Sequence, residues 1–352
     1  MIEFAELPPL LTKDLPGIGG RIKQEPEDFE VEEIAAYEPC GEGEFLFLWI
    51  EKRDCGAEYF VRQVAQRLAI PAEEVGTAGM KDRRAMTRQW ISVPACVEAR
   101  LPQLDGNGIR VLRVSRHGNK LKPGHLHGNR FAIRIRGVDP LAASGLDELL
   151  SRLRQNGLAN FYGPQRFGRG NETLELGLRL LRGEPEPRNR RFLRKLALSS
   201  VQSALFNLYL AQRLQDGLLH CVLPGDVMAK WPFGGMFTVT DVAAEQARFD
   251  RRETVHTGPM FGRKMFPAAA TAREREAKTL EGAGLTTESF HGFGKLLQGT
   301  RRHNLVYIND LSASIEGADV RLTFALPAGS YATVLLREVM KVDDLESETD
   351  RE

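Results

Sequence analysis

Stretches in which apolar and polar residues alternate are frequent along this chain, and a period of two residues predicts β-strands. Residues 28–34 and 44–50 fit strands, and the second is apolar on both faces, as expected for a strand in the middle of a sheet. Residues 109–115 and 131–138 fit two more. The most regular alternation lies at residues 319–326. The pattern therefore predicts strands both early and late in the sequence.

Apolar residues three or four positions apart predict helices between these strands. Residues 158–190 are instead rich in Gly, Pro, Asn and Arg, and this change suggests that one domain is interrupted by an insertion. The length of 352 residues also favours two domains over one. Five helices are predicted. The first covers residues 56–68, the second runs from a cap at Asp139 and Pro140 to Gly157, and the third runs from Ser199 or Ser200 to Gly217. The fourth begins at a capping box of Thr271 and Glu274, and the last follows a cap at Ser330.

Charge is distributed unevenly along the chain, although the net charge is only +1. Residues 1–50 carry a net charge of −9 and residues 343–352 one of −5, which leaves +15 for residues 51–342. Residues 106–138 contain no acidic residue. This favours a surface that binds a polyanion such as nucleic acid over an ordinary solvated basic face. The acidic tail at 343–352 is predicted to be disordered.

Composition argues against several other classes of protein. With 42% hydrophobic and 27% charged residues and no long apolar run, the chain is predicted to be a globular protein rather than a membrane protein. Its four cysteines form no CxxC pair, which fits a reducing cytoplasm and predicts neither a disulfide framework nor a zinc site. His117, His125 and His127 lie without nearby carboxylates or cysteines, so no metal is predicted. The glycine motifs that bind nucleotide cofactors are also missing.

The best candidate for chemistry is Asp82, a single carboxylate among basic residues. A carboxylate close to fixed positive charge is expected to stay ionised at neutral pH, and it can act as a nucleophile, a base or a metal ligand. Its neighbours Lys81, Arg83 and Arg84 would keep it charged or bind phosphates. The alternative is a surface turn in which Asp82 simply pairs with Arg83 or Arg84.

Five stretches of the sequence, in order and spanning residues 23 to 338, resemble the motifs of the TruD family of tRNA pseudouridine synthases. The signature of that family has the pattern Ala-Gly-x-Lys-Asp-x-Arg-Ala-x-Thr-Arg-Gln, and this chain departs from its usual form at Met80, where Leu is more common. Five ordered matches make the resemblance specific. The matching stretches are 78–90 (AGMKDRRAMTRQW), 23–33 (KQEPEDFEVEE), 128–131 (GNRF), 160–168 (NFYGPQRFG), and 326–333 with 336–338 (LPAGSYAT and LRE).

This resemblance implies both a fold and an activity. The fold would be α+β, with a pseudouridine-synthase core that has a mixed, mainly antiparallel sheet and an inserted α/β TRUD domain. The core would comprise residues 1–155 and 306–342, and the insertion residues 156–305. The activity would be the isomerisation of uridine to pseudouridine in tRNA at position 13, without a cofactor. The partner would be tRNA, and the sequence indicates neither a membrane nor an obligate protein partner.

The resemblance also implies site residues, because Asp82 matches the catalytic Asp of the family. The sequence leaves open whether Asp82 attacks the sugar, attacks the base or removes a ribose proton, and direct action on the ribose is favoured. The substrate-binding candidates are Lys23, Phe29, Asn129, Phe131 and Phe324, and the RNA-binding candidates are Lys81, Arg83, Arg84, Arg134, Arg136, Gln165 and Arg166.

Each of these assignments has a structural alternative. A phenylalanine on an alternating strand usually belongs to the core, and Asn129 could serve only as a turn residue at the start of a strand. Lys23 could pair with Asp82, bind a phosphate or offset nearby acidic residues. Gln165 and Arg166 could contact RNA or make structural hydrogen bonds. Two other functions also stay open, a non-catalytic RNA-binding protein and an Asp-dependent nucleosidase that releases uracil.

Overall fold

The computed structural model describes residues 7–184 and 191–344. Residues 345–352, most of the tail predicted to be disordered, lie outside the described residues. The strands are β1 (Phe29–Ala35), β2 (Phe45–Arg53), β3 (Gly76–Thr77), β4 (Met86–Pro94), β5 (Ile109–His117), β6 (Leu126–Ile135), β7 (Leu158–Ala159), β8 (Val227–Lys230), β9 (Met236–Thr238), β10 (Thr254–Met260), β11 (Thr300–His303), β12 (Leu305–Val306), β13 (Ser312–Glu316) and β14 (Asp319–Pro327). The α-helices are α1 (Ala57–Leu68), α2 (Pro140–Ala143), α3 (Leu146–Asn156), α4 (Glu172–Leu181), α5 (Arg191–Gln215), α6 (Val242–Asp250), α7 (Ala270–Gly282) and α8 (Ala332–Met340).

The chain divides into two compact units. The first, called the sheet unit, comprises residues 15–154, 308–332 and 339–352. The second unit comprises residues 1–14, 155–307 and 333–338. That one unit is a catalytic domain and the other an insertion stays a prediction.

The sheet unit is built on eight strands. Seven follow the order β13-β14-β6-β1-β4-β2-β5, and β3 pairs with β4 beside this path. Strands β1 and β4 run parallel, and the other pairs of this sheet are antiparallel. The predicted α+β class, with a mixed and mainly antiparallel sheet, is therefore confirmed.

One face of this sheet, here called the inner face, is defined by Phe29, Val31 and Glu33 of β1. Side chains directly opposite each other on neighbouring strands point to the same face. The inner face therefore extends to Phe131 and Asn129 of β6, the cross-strand partners of Val31 and Glu33. It continues into β14, where the predicted alternation of buried and partly exposed residues is confirmed. At the other end, α1 buries its apolar side chains against β2 and β4.

The second unit combines helices with two small sheets. Strands β11-β10-β8-β9 form a four-stranded sheet, and β7 pairs with β12. Helices α4 and α5 approach closely at Gly177, where a Cβ atom would lie 2.2 Å from the carbonyl oxygen of Ala197. Only glycine fits such a contact, so Gly177 allows the two helices to share one apolar cluster.

Several predicted element boundaries are wrong. The strand predicted at 131–138 is β6, which begins at Leu126, and the helix predicted from Ser199 or Ser200 is α5, which begins at Arg191. Asp139 caps only the short α2, and the chain leaves the helix there before α3 begins at Leu146. The predicted capping box of Thr271 and Glu274 does not form, because α7 begins at Ala270, and the amide of Ala272 donates to the carbonyl of Pro224 instead.

Candidate active site

Asp82 lies in the loop between β3 and β4, and its side chain is 50% exposed. Two lysines hold it from different directions. The ammonium of Lys23 lies 3.7 Å from Oδ1 of Asp82, and the buried Lys52 donates to the main-chain carbonyl of Asp82 at 3.1 Å. The first contact balances the charge of the carboxylate, and the second fixes the backbone that carries it. Asp82 is therefore open to a substrate while its main chain is anchored.

Lys23 has a left-handed backbone conformation, with φ of 55°. Such a conformation costs a residue with a side chain roughly 1 kcal/mol, so it is expected where surrounding contacts impose it. The turn that follows is held by Asp28, whose buried carboxylate accepts from the amide of Glu25 at 2.8 Å and from the guanidinium of Arg136 at 2.8 and 2.9 Å. This turn fixes the distance between Lys23 and Phe29, whose ring centroid lies 4.8 Å from the Lys23 ammonium.

The three candidate phenylalanines form one aromatic cluster on the inner face. Phe131 and Phe324 are cross-strand partners with ring centroids 5.1 Å apart and an interplanar angle of 22°. Phe29 meets Phe131 edge to face, with centroids 6.2 Å apart. All three rings are buried, and Phe131 is the most accessible at 6%. The cluster therefore suits the wall of a pocket better than a platform for stacking of exposed bases.

Lys81 points into the sheet unit although it precedes Asp82 directly. Its ammonium donates to Oε2 of Glu33 and to Oδ1 of Asn129, both at 2.8 Å, and both charged side chains are buried. Burial raises the pKa of Glu33, and the neighbouring Lys81 opposes that rise. Lys81 is thus bound to the inner face rather than paired with the carboxylate of Asp82.

The other basic candidates of the sheet unit have different surroundings. Arg83 is exposed, and Arg84 donates to the main-chain carbonyl of Gln24 at 2.9 Å. Arg134 is paired with Glu316 at 2.8 Å on the face opposite the aromatic cluster. Arg136, as described above, is bound to Asp28. Arg83 and Arg84 are thus near Asp82 through their places in the chain, whereas Arg134 and Arg136 have acidic partners.

Gln165 and Arg166 belong to the second unit. The side-chain amide of Gln165 donates to the hydroxyl of Thr333 at 3.2 Å. The guanidinium of Arg166 donates to the hydroxyls of Ser203, at 3.1 Å, and Ser199. Both candidates therefore make hydrogen bonds within their own unit.

A cavity of about 360 Å³ borders the loop of Asp82. Gly79 and Met80 form one wall, and Phe60, Val61 and Gln89 are among the residues of the others. Oε1 of Gln89 is buried and has no hydrogen-bond partner among the described residues. Neither Asp82 nor the aromatic cluster is among the residues that line this cavity, so it adjoins the carboxylate's loop without containing the carboxylate.

The described residues contain neither a metal-binding cluster nor a membrane-spanning helix. Within them, no group of three or more His, Cys, Asp or Glu side chains is placed to hold a metal ion. Of the three histidines noted in the sequence, His117 stacks on Tyr37, and His125 makes a hydrogen bond of 2.7 Å to the same tyrosine. No helix in residues 7–184 and 191–344 is both long and apolar enough to cross a membrane.

Lys52 and Glu33 also belong to the site, although the sequence motifs did not single them out. Glu33 carried a signal, because it lies on the buried parity of a predicted strand, two residues after Val31. Lys52 lies beyond the strand predicted at 44–50, which is apolar on both faces, so the pattern gave no direction for its side chain. A charged residue at an inward position is costly unless it has a partner, so it indicates a specific contact.

Comparisons with known proteins identify the family. The family model described as tRNA pseudouridine synthase D (TruD) matches residues 9–188 and 188–339. A tRNA pseudouridine synthase D of an Anaeromyxobacter species is 42% identical over 338 residues, covering 95% of this chain and 96% of the relative. The corresponding protein of Thermus thermophilus is 42% identical over 339 residues, covering 96% and 93%.

A solved structure agrees with the sequence comparisons. A crystal structure assigned to tRNA pseudouridine synthase D (TruD) of Methanosarcina mazei superposes with a TM-score of 0.77 at 25% identity and covers 96% of both chains. Family model, relatives and fold therefore coincide over nearly the whole length. This chain belongs to the tRNA pseudouridine synthase D (TruD) family, and it is an enzyme, a tRNA pseudouridine synthase.

Proposed function

We propose that this enzyme isomerises uridine to pseudouridine at position 13 of tRNA, with Asp82 as the essential carboxylate and without a cofactor. The observation that carries the proposal is the half-exposed carboxylate of Asp82 beside Lys23, at the aromatic cluster of the inner face. A reacting ribose needs an accessible carboxylate, and the reacting base needs an apolar pocket with a few polar groups.

The reaction rearranges the nucleotide without changing its composition. The bond between N1 of uracil and C1′ of the ribose breaks, and C5 of the rotated base forms a new bond to C1′. The proton on C5 leaves and N1 gains one, so that atoms and electrons balance. We assign to Asp82 a direct action on the ribose, where its negative charge stabilises the electron-poor C1′.

The neighbouring residues receive supporting roles. Lys23 pairs with the carboxylate of Asp82 until the ribose displaces it, because a contact of 3.7 Å at a partly exposed site is weak enough to exchange. The aromatic cluster forms the wall of the uracil pocket and limits the access of water. Asn129 binds the polar edge of the base. A target base must leave its stack at a cost of a few kcal/mol, which contacts of this kind offset.

Contacts with the RNA backbone are assigned to Arg83 and Arg84, which flank Asp82 and are at least partly exposed. Arg134 and Arg136 would have to leave Glu316 and Asp28 before they could bind a phosphate. We therefore give these two arginines, with Gln165 and Arg166, structural roles.

The test compares Asp82→Asn with the wild type on unmodified total tRNA. New pseudouridines are mapped by carbodiimide treatment and primer extension, and tRNA binding is measured in parallel. Asp82→Asn is expected to bind tRNA normally and to form no pseudouridine. The matched control is Asp147→Asn, which removes an exposed carboxylate on α3 and is expected to keep full activity.

Two results would contradict the proposal. Substantial pseudouridine formation by pure Asp82→Asn would show that the carboxylate of Asp82 is not essential. Modification by the wild type only at sites other than position 13 would show that the assigned target is wrong. The mass of the RNA gives a further check, since isomerisation leaves it unchanged, whereas a nucleosidase would release uracil.

A further inference from the structure

The amide group of Asn129 is oriented by a buried ion pair. The ammonium of Lys81 donates hydrogen bonds to Oδ1 of Asn129 and to Oε2 of Glu33, each at 2.8 Å. Glu33 and Asn129 are direct cross-strand partners, so the backbone holds their side chains on the same face. The side chains of Lys81 and Glu33 are 4% and 0% exposed, whereas Asn129 is only partly buried. Lys81 thus links the fully buried Glu33 to the partly accessible Asn129.

The chemistry of the ammonium group determines which amide atom faces inward. A lysine ammonium has three donors and no acceptor, so the Asn129 atom that meets it must be the carbonyl oxygen. The two N–H donors on Nδ2 must then point elsewhere. Among the described residues, Nδ2 of Asn129 has no hydrogen-bond partner. The partly exposed side of Asn129 therefore presents donors.

We propose that Glu33 and Lys81 are positioning residues, which hold Asn129 so that its Nδ2 donates to a carbonyl oxygen of the target uracil. This inference rests on the proposed function and names the substrate group that the site recognises. The uracil edge carries two carbonyl oxygens, whereas cytosine carries an amino donor in place of one of them. The N–H donors of Nδ2 donate to a carbonyl oxygen and repel an amino group, so the arrangement also favours uridine over cytidine if O4 is the group bound.

Glu33 is needed because a lysine so close to Asp82 along the chain has a competing partner. With Glu33 in place, the ammonium of Lys81 is held beneath the sheet face by a buried carboxylate. Without it, Lys81 could turn to the carboxylate of Asp82 and release Asn129. Lys81 is the counter-charge of this buried carboxylate, which it contacts at 2.8 Å.

The test is a mutant cycle on kcat/KM for tRNA. Removal of only one buried charge leaves its partner uncompensated and threatens folding, so the pair is neutralised together as Glu33→Gln/Lys81→Met. This double variant is expected to lose roughly 10-fold to 100-fold in kcat/KM, the range for a misplaced substrate contact. Asn129→Ala is expected to lose a similar factor, and the triple variant is expected to lose no more than Asn129→Ala alone. Losses that multiply would overturn the proposal.

A second measurement uses substrates in which sulfur replaces O4 or O2 of the target uracil. A thiocarbonyl accepts hydrogen bonds poorly, so the wild type is expected to react roughly 10-fold more slowly with one of the two substrates. Glu33→Gln/Lys81→Met is expected to react at equal rates with that substrate and with the normal one. Equal rates of the wild type on all three substrates would also overturn the proposal. A merely structural role of the ion pair would leave the sulfur effect unchanged.

The matched control is Glu148→Gln/Arg152→Met, which neutralises an ion pair on α3. It is expected to keep both the rate and the sulfur effect of the wild type. Failure of the proposed function would appear as a wild type that forms no pseudouridine at position 13. Failure of the positioning role would appear as an active wild type with multiplicative losses, so the two failures are distinct.

Discussion

Lys52 donates a hydrogen bond of 3.1 Å to the main-chain carbonyl of Asp82 from a side chain that is 1% exposed. The same ammonium donates to the carbonyl of Cys55, beyond the end of β2. Burial lowers the pKa of Lys52, and the Asp82 charge is among the groups that oppose this shift. A single buried cation thus connects the end of a sheet strand with the loop that carries the candidate catalytic carboxylate.

We expect Lys52→Met to lower kcat/KM by roughly 10-fold to 100-fold, because a displaced catalytic group loses its alignment with the substrate. Affinity for tRNA should change little, since Lys52 has no exposed surface with which to meet RNA. Steady-state rates and binding are measured together, with exposed Lys13→Met as the control. An unchanged kcat/KM would show that the loop holds its position without this contact.

The inner face illustrates what the sequence could and could not predict. The strands were predictable because alternation is a local property, and β14 follows it along its length. Glu33 has the buried parity of its strand, so its inward direction was also available from the pattern, whereas Lys52 lies beyond the strand predicted at 44–50. The partner of Lys81 was not, because Asn129 is 48 residues away and meets it only through the pairing of β1 with β6.

The basic candidates for RNA binding also show that a sequence does not reveal contacts between distant residues. Sequence places Arg134 and Arg136 on one face of a strand, and a stretch without acids suggested that this face binds phosphate. The acids that pair with them, Glu316 and Asp28, lie 182 and 108 residues away. Local charge counts miss such partners, because ion pairs between strands depend on the topology of the sheet.

We expect Arg136→Lys to destabilise the turn between Lys23 and Phe29 and to leave the RNA affinity unchanged. Lysine cannot reproduce the bidentate contact with the buried carboxylate of Asp28, so the melting temperature should fall. Thermal unfolding and the salt dependence of tRNA binding are both measured. If Arg136 instead binds a phosphate, replacement by a neutral Gln should lower the slope of log K against log salt by roughly 1.

The second unit should lose stability in mild acid because of His256. This side chain is fully buried, with its Nε2 at 2.8 Å from the main-chain carbonyl of Leu219 and its Nδ1 at 2.8 Å from the side-chain nitrogen Nδ2 of Asn304. The ring is therefore neutral, with the proton on Nε2. Burial lowers the pKa of His256 to about 3.

The direction of the pH effect follows from the two pKa values. In the unfolded chain a histidine takes up a proton below about pH 6.5, whereas His256 in the folded chain stays neutral down to about pH 3. Its contribution to stability is complete above pH 6.5 and is lost progressively as the pH falls toward 3. We expect His256→Gln to flatten the fall in melting temperature between pH 6.5 and 4, and the exposed His220→Gln to leave it unchanged. Identical pH profiles for wild type and His256→Gln would contradict this account.

Arg213 and Asp226 form a buried ion pair in the same unit, with two parallel contacts of 2.9 and 2.7 Å. The remaining donors of Arg213 reach Tyr209 and the carbonyls of Leu218 and Cys221, so all five N–H groups are used. Burial opposes the charge on Asp226, and Arg213 outweighs that effect and holds the pKa of the carboxyl below its usual range. Both groups are therefore expected to be charged at neutral pH.

Removal of one partner should cost much more than removal of both. We expect Arg213→Met to destabilise the second unit by about 3–5 kcal/mol, because it leaves the carboxylate of Asp226 buried without a counter-charge. Arg213→Met/Asp226→Leu should recover a large part of that loss, since no uncompensated ion remains. The melting temperatures of the single and double variants decide the matter. If the two losses simply add, the pair is not coupled, and the buried charges must be compensated by other groups.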